Sequence, residues 1–230
     1  MCISVIIPTY NEQSFIESTI NSTKERACYP NNLRFIVADG GSTDATLKKA
    51  EAAGAQFLRA TKARRSVQLN EGAEAATCDI LYFLHADTIP PKNFDALIRG
   101  SIKQGNSAGC FRLSFDHSHP LLRFFAWWTW FDFDAFRYGD QSLFITRETF
   151  HSIGGYRNEL HHMEDHNIVR RIKRSGRNFA LLPAEVTTSA RKYLRNGFLR
   201  LQTLFVFIYI LYKMGASQQK IRSFYKKWVR

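Results

Sequence analysis

A buried strand that ends in a carboxylate constrains this chain more than any other feature. Residues 80–84 (ILYFL) are five consecutive apolar residues, a run that is typical of a strand buried on both faces of a sheet. The run stops at residues 85–87 (HAD), and the prolines at 90–91 prevent its continuation. Ligands of open α/β sheets bind at the carboxyl ends of strands, and an isolated buried carboxylate is costly. Asp87 therefore predicts a bound metal or ligand; the alternative is that it caps the next helix.

Short apolar runs alternate with helical patterns through the first half of the chain. We predict strands at residues 3–7, 33–38, 56–59 and 80–84, and helices beginning near residue 15 and at residues 45–53, 66–76 and 93–104. Alternation in units of roughly 30 residues predicts an α/β fold with a mostly parallel sheet and helices on both faces. The second half departs from this alternation, with strands predicted at residues 110–115 and 140–146 and a helix at 163–175.

Polar clusters follow three of these strands, at residues 9–12, 39–44 and 85–87. The glycines at 40 and 41 would let backbone N–H groups approach a ligand, and Asp39 could accept hydrogen bonds from a ribose or a base. Neither G-x-G-x-x-G nor G-x-x-x-x-G-K is present, and a tight turn is the alternative for this loop. Because parallel strands share one carboxyl edge, the three clusters together predict a nucleotide site.

The four cysteines of the 230-residue chain are scattered, without a Cys-x-x-Cys pair, and no secretory signal precedes the first strand. We therefore expect a reducing, cytoplasmic location, with no disulfide framework and no zinc site.

The net charge of +12 is concentrated at one end. Residues 186–230 contain ten Lys or Arg and no Asp or Glu, whereas the rest of the chain carries 22 basic and 20 acidic residues. A cationic end suits an anionic membrane surface better than a nucleic acid, which we do not expect as a partner; a solvated basic tail is the alternative.

Taken together, the motifs resemble the family-2-type, A-fold glycosyltransferases. The similar segments cover nearly the whole chain: residues 6–12 (IIPTYNE), 39–44 (DGGSTD), 84–88 (LHADT), 138–141 (YGDQ), 154–156 (GGY), 163–165 (MED) and 188–191 (TSAR). The combination is most similar to a small bacterial subgroup of transferases associated with radical-SAM and selenium-related domains.

This resemblance implies one A-type glycosyltransferase domain. It would consist of a nucleotide-sugar-binding half (residues 1–105), an acceptor and catalytic half (106–190) and a cationic helical appendage (191–230). The implied reaction is metal-dependent, inverting transfer of a sugar from a nucleoside diphosphate donor, UDP- or GDP-linked, to a hydroxyl acceptor.

The resemblance also implies roles for individual residues. The family's strand-end motif is usually Asp-x-Asp; here His85 replaces the first acid, and Asp87 is the residue implied to hold Mn²⁺ or Mg²⁺ on the diphosphate. The positions implied to bind the nucleotide sugar are Thr9, Tyr10, Glu12, Asp39, Gly40, Gly41, Arg65, Ala86, Asp87 and Arg191. For the basic position before the third helix, Arg64 is an alternative to Arg65.

Asp165 is implied to be the general base that accepts the proton of the acceptor hydroxyl, with Glu164 as the alternative. From the sequence alone, both could be ordinary carboxylates in a first helical turn. Asp140 and Gln141 are expected to reach the donor sugar or the acceptor.

Nine aromatic residues lie within residues 124–138. Core packing is the first interpretation, but one buried helix stripe does not usually hold so many rings. Some of them, Trp128 included, are therefore expected to form a wall for the sugar face or lipid chain of an acceptor.

Residues 204–212 are nine consecutive apolar or aromatic residues, fewer than the about 20 that a spanning helix needs. They could cover the sheet, contact a second subunit, or lie in a membrane interface; we favour peripheral contact with the inner face of a membrane, and a lipid-linked acceptor. Oligomeric state is left open. A nucleotidyltransferase of the same fold and a non-catalytic membrane- or nucleic-acid-binding protein are the alternative functions.

Overall fold

Eight strands form a single mixed sheet in the computed structural model, which describes residues 1–133 and 139–229. The strands are β1 (Ile3–Thr9), β2 (Leu33–Asp39), β3 (Gln56–Arg59), β4 (Ile80–Phe83), β5 (Thr88–Ile89), β6 (Ala108–Phe115), β7 (Leu143–Thr146) and β8 (Phe179–Thr188). Their order across the sheet is β3-β2-β1-β4-β7-β6-β8-β5.

The first four strands are parallel, as their alternation with helices predicts. β1 lies between β2 and β4, with Ile3 aligned to both Leu33 and Ile80. The predicted strands at residues 3–7, 33–38, 56–59 and 80–84 are therefore confirmed, with small differences at their ends. Pro8 does not end β1, because the pairing with β4 stops at Ile6 and the last residues pair only with β2.

β7 runs antiparallel to both of its neighbours, β4 and β6. The prediction of a strand over residues 140–146 is wrong at its start: Gly139–Gln141 form a 3-10 helix and Ser142 has a φ of 50°. The strand begins only at Leu143. Since β7 is reversed, the residues that precede it lie at the same edge as the residues that follow β4.

The sequence analysis predicts neither β8 nor β5. β8 contains a proline, pairs with β6 across a register shift, and is only partly buried, so it lacks a continuous apolar run. β5 has two residues and pairs antiparallel with β8. β4 lies in the middle of the sheet, whereas β5 lies at its edge beside β8, and only residues 84–87 connect the two strands. The sheet therefore curls and brings β8 close to the end of β4. One sheet thus joins residues 1–105 to residues 106–190; their division into donor and acceptor halves stays a prediction.

Ten α-helices surround this sheet in the described residues. They are α1 (Ile16–Glu25), α2 (Thr46–Ala52), α3 (Arg65–Glu74), α4 (Phe94–Lys103), α5 (Pro120–Trp127), α6 (Arg147–Ser152), α7 (Glu164–Arg174), α8 (Arg191–Asn196), α9 (Phe198–Lys213) and α10 (Gln218–Trp228). The helices predicted at residues 45–53, 66–76, 93–104 and 163–175 correspond to α2, α3, α4 and α7 and are confirmed.

Alternate residues of β1 enter two separate cores, one on each face of the sheet. Val5 and Ile7 pack with residues of α1, α2 and α4, whereas Ile6 packs with residues of α3, α6 and α7. Each of these side chains is fully buried, and burial of a large aliphatic side chain contributes about 1.5–3 kcal/mol. The fold is therefore an α/β/α sandwich, as predicted.

The last three helices form a third core together with α5. Its buried residues include Leu122 of α5, Leu204 and Ile208 of α9, and Ile221 of α10. The predicted apolar run at residues 204–212 thus has one face packed on helices. Among the described residues, no helix combines the length and the hydropathy of a membrane-spanning segment.

The aromatic segment is less buried than core packing requires, so that first interpretation is wrong for much of it. α5 buries Leu122 and Ala126, whereas its Phe124 and Trp127 are exposed. A 3-10 helix follows at Trp128–Trp130, and the exposed rings continue beyond it. The predictions for Phe136 and Tyr138 lie outside the described residues.

Cys2 and Cys78 form a disulfide, so the expectation that no cysteines are paired is wrong for this pair. Cys2 precedes β1 and Cys78 precedes β4, and the parallel alignment of Ile3 with Ile80 brings the two Cα atoms to 5.2 Å. Sequence spacing could not reveal this pairing, because 76 residues separate the two cysteines. Cys28 and Cys110 are free.

Gly72 marks the closest packing of α3 on β1, and its replacement by alanine tests the core. An added Cβ would lie 2.6 Å from Ile6 Cγ2, so Gly72→Ala is expected to lower the free energy of unfolding by about 1–3 kcal/mol through overpacking. The measurement is urea unfolding followed by circular dichroism. Gly100→Ala in α4 is the matched control: its Cβ meets nothing within 4 Å, so it is expected to stabilise the helix by about 0.5–1 kcal/mol.

Candidate active site

The carboxyl ends of β1, β2 and β4 bring the predicted polar clusters to one edge of the sheet. Thr9 and Asp39, the last residues of β1 and β2, are aligned in register, and Thr9 Oγ1 donates a hydrogen bond of 2.9 Å to Asp39 Oδ1. The segment after β4 is held by α1, whose Thr19 Oγ1 donates to the carbonyl oxygen of Ala86 at 2.6 Å. Local turns and strand register together therefore build this edge.

The Asp39 carboxylate organises the loop that follows β2. Its Oδ2 accepts hydrogen bonds of 2.8 Å from the backbone N–H groups of Gly41 and Ser42, and its Oδ1 is bonded by the hydroxyls of Thr9 and Ser42. Burial raises the pKa of Asp39, but these hydrogen bonds outweigh it and hold the pKa below its usual value. Gly41 adopts a φ of 100°, which favours glycine. Asp39 thus holds the loop in shape, and contact with a ribose or base stays a prediction.

Gln68 of α3 links the ends of β1 and β2 through its side-chain amide. Its Nε2 donates to the carbonyl oxygens of Thr9 and Ala38 at 2.7 and 2.8 Å. The side chain is buried, and sequence analysis missed it. The only available signal was a polar amide on the buried face of a predicted helix.

Asp87 is paired with an arginine that is distant in sequence. β5 begins directly after Asp87 and pairs with β8, which places Arg191, at the start of α8, beside the carboxylate. Arg191 Nε lies 2.9 Å from Asp87 Oδ2, and its two terminal nitrogens donate to the Glu12 carboxylate at 2.8 and 2.7 Å. Burial raises the pKa of Asp87, although Arg191 opposes that rise. Three residues predicted to bind the nucleotide sugar therefore form one ionic cluster.

A second ionic cluster is built around Arg65, the first residue of α3. Arg65 Nη1 contacts Glu164 Oε1 at 2.7 Å and also contacts the Asp165 carboxylate. Both acids lie in the first turn of α7. Burial and the adjacent Asp165 charge raise the pKa of Glu164, whereas Arg65 lowers it. Arg65 was predicted to reach a nucleobase or a phosphate. In the structure its guanidinium contacts the carboxylates of Glu164 and Asp165, the two candidates for the general base.

His85 links the Arg65 cluster to Asp140 and is neutral. Arg65 Nη2 can only donate, so its contact with His85 Nε2 requires that nitrogen to accept. The ring proton is then on Nδ1, which lies 3.2 Å from Asp140 Oδ1. Burial, with the charges of Arg65, Lys192 and Arg191, lowers the pKa of His85 well below its usual value. The histidine that replaces the family's first acid therefore serves as a neutral link between Arg65 and Asp140.

Gly139 packs directly on the Arg65–Asp165 pair. A Cβ at this position would lie 2.2 Å from Asp165 Oδ2 and 2.6 Å from Arg65 Nη2. The backbone reaches this point because β7 is antiparallel to β4, so the residues that precede β7 lie at the same sheet edge as the residues that follow β4. Only glycine fits such a close approach.

Two adjoining cavities open at this edge. The first, of about 270 Å³, is lined by Thr9, Tyr10, Glu12, Ala86, Asp87 and Arg191, and we call it the donor cavity. The second, of about 350 Å³, is lined by Glu164, Asp165, Trp128, Phe125, Ile208 and Tyr225, and we call it the acceptor cavity. Seven residues line both: Arg65, His85, Phe115, Asp140, Lys192, Tyr193 and Phe205.

Most residues of the predicted site are thus brought together, although their roles stay predictions. Asp39, Gly40 and Gly41 shape the adjacent loop and are not among the residues that line either cavity. Gln141 is fully buried beside the site. Lys192 and Tyr193, which line both cavities, were missed because nothing in the sequence signals that α8 folds over the edge.

His161, His162 and His166 line the acceptor cavity. Burial and the neighbouring charges of His161, Lys192 and Arg222 lower the pKa of His162 to about 4, so it is neutral at physiological pH.

Solved structures with the same fold define the class of this protein. A mannosyltransferase from Pyrobaculum calidifontis, in complex with GDP-Man and Mn²⁺, superposes with a TM-score of 0.70 at 19% identity, over 91% of this chain and 61% of that one. TarS from S. aureus, in complex with UDP-GlcNAc, has a TM-score of 0.66 at 17% identity, over 82% and 58%. The chain therefore has the A-type glycosyltransferase (GT-A) fold, and spans less than two thirds of the length of these two proteins.

The chain belongs to glycosyl transferase family 2, whose sequence model matches residues 4–161. Glucosyl-3-phosphoglycerate synthase from Mycobacterium tuberculosis, in complex with Mn²⁺, UDP and glucosyl-3-phosphoglycerate, is also similar, with a TM-score of 0.60 and 19% identity over 94% of this chain and 80% of that one. A search of curated proteins gave no significant match. The resemblance to the family is thus confirmed, whereas the subgroup associated with radical-SAM and selenium-related domains stays a prediction.

Arg65→Met tests whether Arg65 neutralises the two carboxylates of α7. The variant leaves Glu164 buried and unpaired, so its pKa should rise further and it should destabilise the fold whenever it is ionised. We expect a loss of about 3 kcal/mol at pH 7.5. A carboxyl group whose pKa is higher in the folded than in the unfolded state destabilises less as the pH falls, so the loss should shrink at pH 5.

Urea unfolding at the two pH values measures this effect. Arg34→Met is the matched control, since the Arg34 guanidinium donates to the carbonyl oxygens of Asn31 and Leu33 and is exposed. Its effect should not depend on pH. Equal losses at pH 7.5 and pH 5 for Arg65→Met would contradict the assignment.

Proposed function

We propose that this protein transfers a sugar from a nucleoside diphosphate donor to a hydroxyl acceptor, with metal assistance and inversion at the anomeric carbon. The observation that carries the proposal is that seven residues line both cavities, so the two cavities adjoin. A group bound in the donor cavity then lies next to the acceptor cavity. Asp87 lines the donor cavity, and Asp165 lines the acceptor cavity. UDP or GDP as the nucleotide is supported by the donors in the similar structures.

The donor cavity fits a divalent cation bound mainly through its substrate. Asp87 supplies a hard carboxylate oxygen at the cavity surface, and Mg²⁺ typically takes only one or two carboxylates together with phosphate and water. Within the described residues, no group of three or more acidic, His or Cys side chains surrounds a common point. A bound Mn²⁺ or Mg²⁺ would neutralise charge on the leaving diphosphate.

Two cations are placed to assist at the diphosphate. Arg191 holds Glu12 and Asp87, and Lys192 lines both cavities. Asp87 would hold the metal, and the Arg191 guanidinium, no longer paired with that carboxylate, would be able to form paired hydrogen bonds with phosphate oxygens. Arg191 therefore acts as the carboxylates' counter-ion before the donor binds.

Asp165 is the proposed general base. Its carboxylate lines the acceptor cavity and is held from the donor side by Arg65, while Gly139 packs against it. In an inverting displacement, the acceptor oxygen attacks from the face opposite the diphosphate and loses its proton to a carboxylate. Arg65 fixes the direction of that carboxylate. Glu164 is less suited, because it is more buried than Asp165.

The acceptor cavity is suited to a partly apolar molecule. Trp128, Phe125, Phe205 and Tyr225 provide flat apolar faces, and the acids that line the same cavity are Asp140, Glu164 and Asp165. Such rings bind the face of a sugar or a lipid chain. We propose a lipid-linked acceptor, reached from the inner surface of a membrane.

Asp165→Asn should lower the rate of sugar transfer by about 10²–10⁴-fold, because the amide cannot accept the proton. Donor affinity, measured by calorimetry, should be nearly unchanged, since Asp165 lines the acceptor cavity and not the donor cavity. Asp79→Asn is the matched control: Asp79 is exposed at the opposite end of β4, so both quantities should keep their wild-type values. Near-normal turnover of Asp165→Asn would remove the assignment.

A thermal-shift screen of nucleotide sugars tests the donor and the metal. A donor present at 100 times its Kd should stabilise the protein by about 2.7 kcal/mol. This stabilisation should increase with Mn²⁺ in the wild type, and the increase should be lost in Asp87→Asn. A larger shift with nucleoside triphosphates, accompanied by release of diphosphate, would instead identify a nucleotidyltransferase. No metal dependence in the wild type would contradict the role of Asp87.

A further inference from the structure

One face of α9 is mostly apolar and exposed, with Thr203 as a polar residue in the middle of it. Leu199, Val206, Phe207, Ile210 and Met214, just past the helix end, have 63%, 47%, 57%, 45% and 78% of their surface exposed. They recur at helical spacing opposite the buried Leu201, Leu204 and Ile208. At 1.5 Å per residue, the row is about 22 Å long. We call these five residues the outer stripe.

Rings of α10 widen the outer stripe. Phe207 stacks on Phe224 with ring centroids 6.0 Å apart, and Phe224 lies 6.2 Å from the ring of Trp228. Trp228 is itself exposed, and the Arg200 guanidinium lies over its ring at 5.8 Å. The Trp228 ring, which is apolar apart from one polar N–H group, is of the kind that favours the headgroup depth of a bilayer.

Cations frame this apolar surface, and acids are absent from the same part of the sequence. Residues 186–230 contain no Asp or Glu, and α10 alone carries Lys220, Arg222, Lys226 and Lys227. At the other end of α9, Lys213 shares a shallow depression with Arg170, Lys173 and Arg174 of α7. Lys173 in turn pairs with Asp132 at 2.8 Å, next to the exposed rings of Phe131 and Phe133.

This combination selects among partners. A two-fold interface with a second copy would place the outer stripe against itself, and the surrounding cations would then face cations. A nucleic acid would satisfy the cations but would leave Leu199, Val206 and Ile210 without an apolar environment. An anionic lipid surface satisfies both requirements at once.

We infer that the outer stripe, with Trp228 and the cations of α10, docks this protein on the surface of an anionic lipid bilayer. The inference does not depend on the proposed reaction. It does, however, predict where the acceptor cavity lies relative to the bilayer, because Gln202, Phe205 and Ile208 of α9 line that cavity. Docking would therefore bring the acceptor cavity to the bilayer side of the molecule.

Co-sedimentation with vesicles tests the inference on the full chain. Wild-type protein should bind vesicles of phosphatidylcholine and phosphatidylglycerol, bind phosphatidylcholine alone far more weakly, and be released from the anionic vesicles by salt. Absence of binding to anionic vesicles at low salt would overturn the inference.

Two variants separate the apolar and the ionic contributions. The double substitution Ile210→Gln and Met214→Gln should lower the vesicle partition coefficient at least tenfold; Leu47→Gln, at an exposed leucine of α2, is its control and should have no effect. Replacing Lys220, Lys226 and Lys227 by Gln should lower it on the order of 100-fold, since each basic residue near an anionic surface contributes about 1 kcal/mol. The control triple replaces Lys48, Lys92 and Lys103, which are exposed elsewhere.

Unchanged melting temperatures would show that the variants fold. Wild-type binding by the Ile210→Gln, Met214→Gln variant would then overturn the role of the outer stripe. A wild-type dimer in solution that this variant converts to a monomer would also overturn it, because the stripe would then be a contact between copies of the chain. Loss of vesicle binding with donor thermal shifts retained would support docking independently of the proposed function.

Discussion

Two arginines neutralise the carboxylates that the sheet edge gathers, and the arrangement of the site depends on them. Arg191 holds Glu12 and Asp87 on the donor side, and Arg65 holds Glu164 and Asp165 on the acceptor side. Without such partners, carboxylates in a partly dry interior would repel one another and lose hydration, at a cost of several kcal/mol. Arg65 lies in α3, and Arg191 lies in α8, which follows β8. The ionic contacts at this edge therefore require β8 to be paired in the sheet.

The position of the residues at the ends of β1, β2 and β4 could be predicted well from the sequence, because its signals are local. The apolar run at residues 80–84 and the polar residues that follow it occupy adjacent positions in the chain. Parallel strands then place Thr9, Asp39 and Asp87 at one edge wherever they lie along the sequence. Only strand identity and direction were needed, and both follow from β-α alternation. The family resemblance reached the same residues by a different route.

The ionic contacts of the site were harder to predict, because they join distant parts of the chain. Arg65 and Asp165 are 100 residues apart, and Glu12 and Arg191 are 179 apart. β8, which brings Arg191 to Asp87, has a mixed pattern and a register shift that conceal it from periodicity analysis. The disulfide between Cys2 and Cys78 and the exposed rings of α5 likewise depend on tertiary packing. Charge composition indicated a cationic end, but only the fold shows which face of α9 is left uncovered.

The reversed direction of β7 has a consequence for how such a protein can diversify. β6 and β7 are antiparallel neighbours, so the chain leaves the sheet at Phe115 and re-enters it at Leu143 on the same edge. Among the described residues of this excursion, the exposed rings of Phe124 and Trp127 can change without shifting any strand. The excursion supplies Phe125 and Trp128 to one cavity only, whereas the donor cavity is built mainly from segments outside it. Substitutions in this excursion can therefore change the lining of one cavity while most of the other is retained.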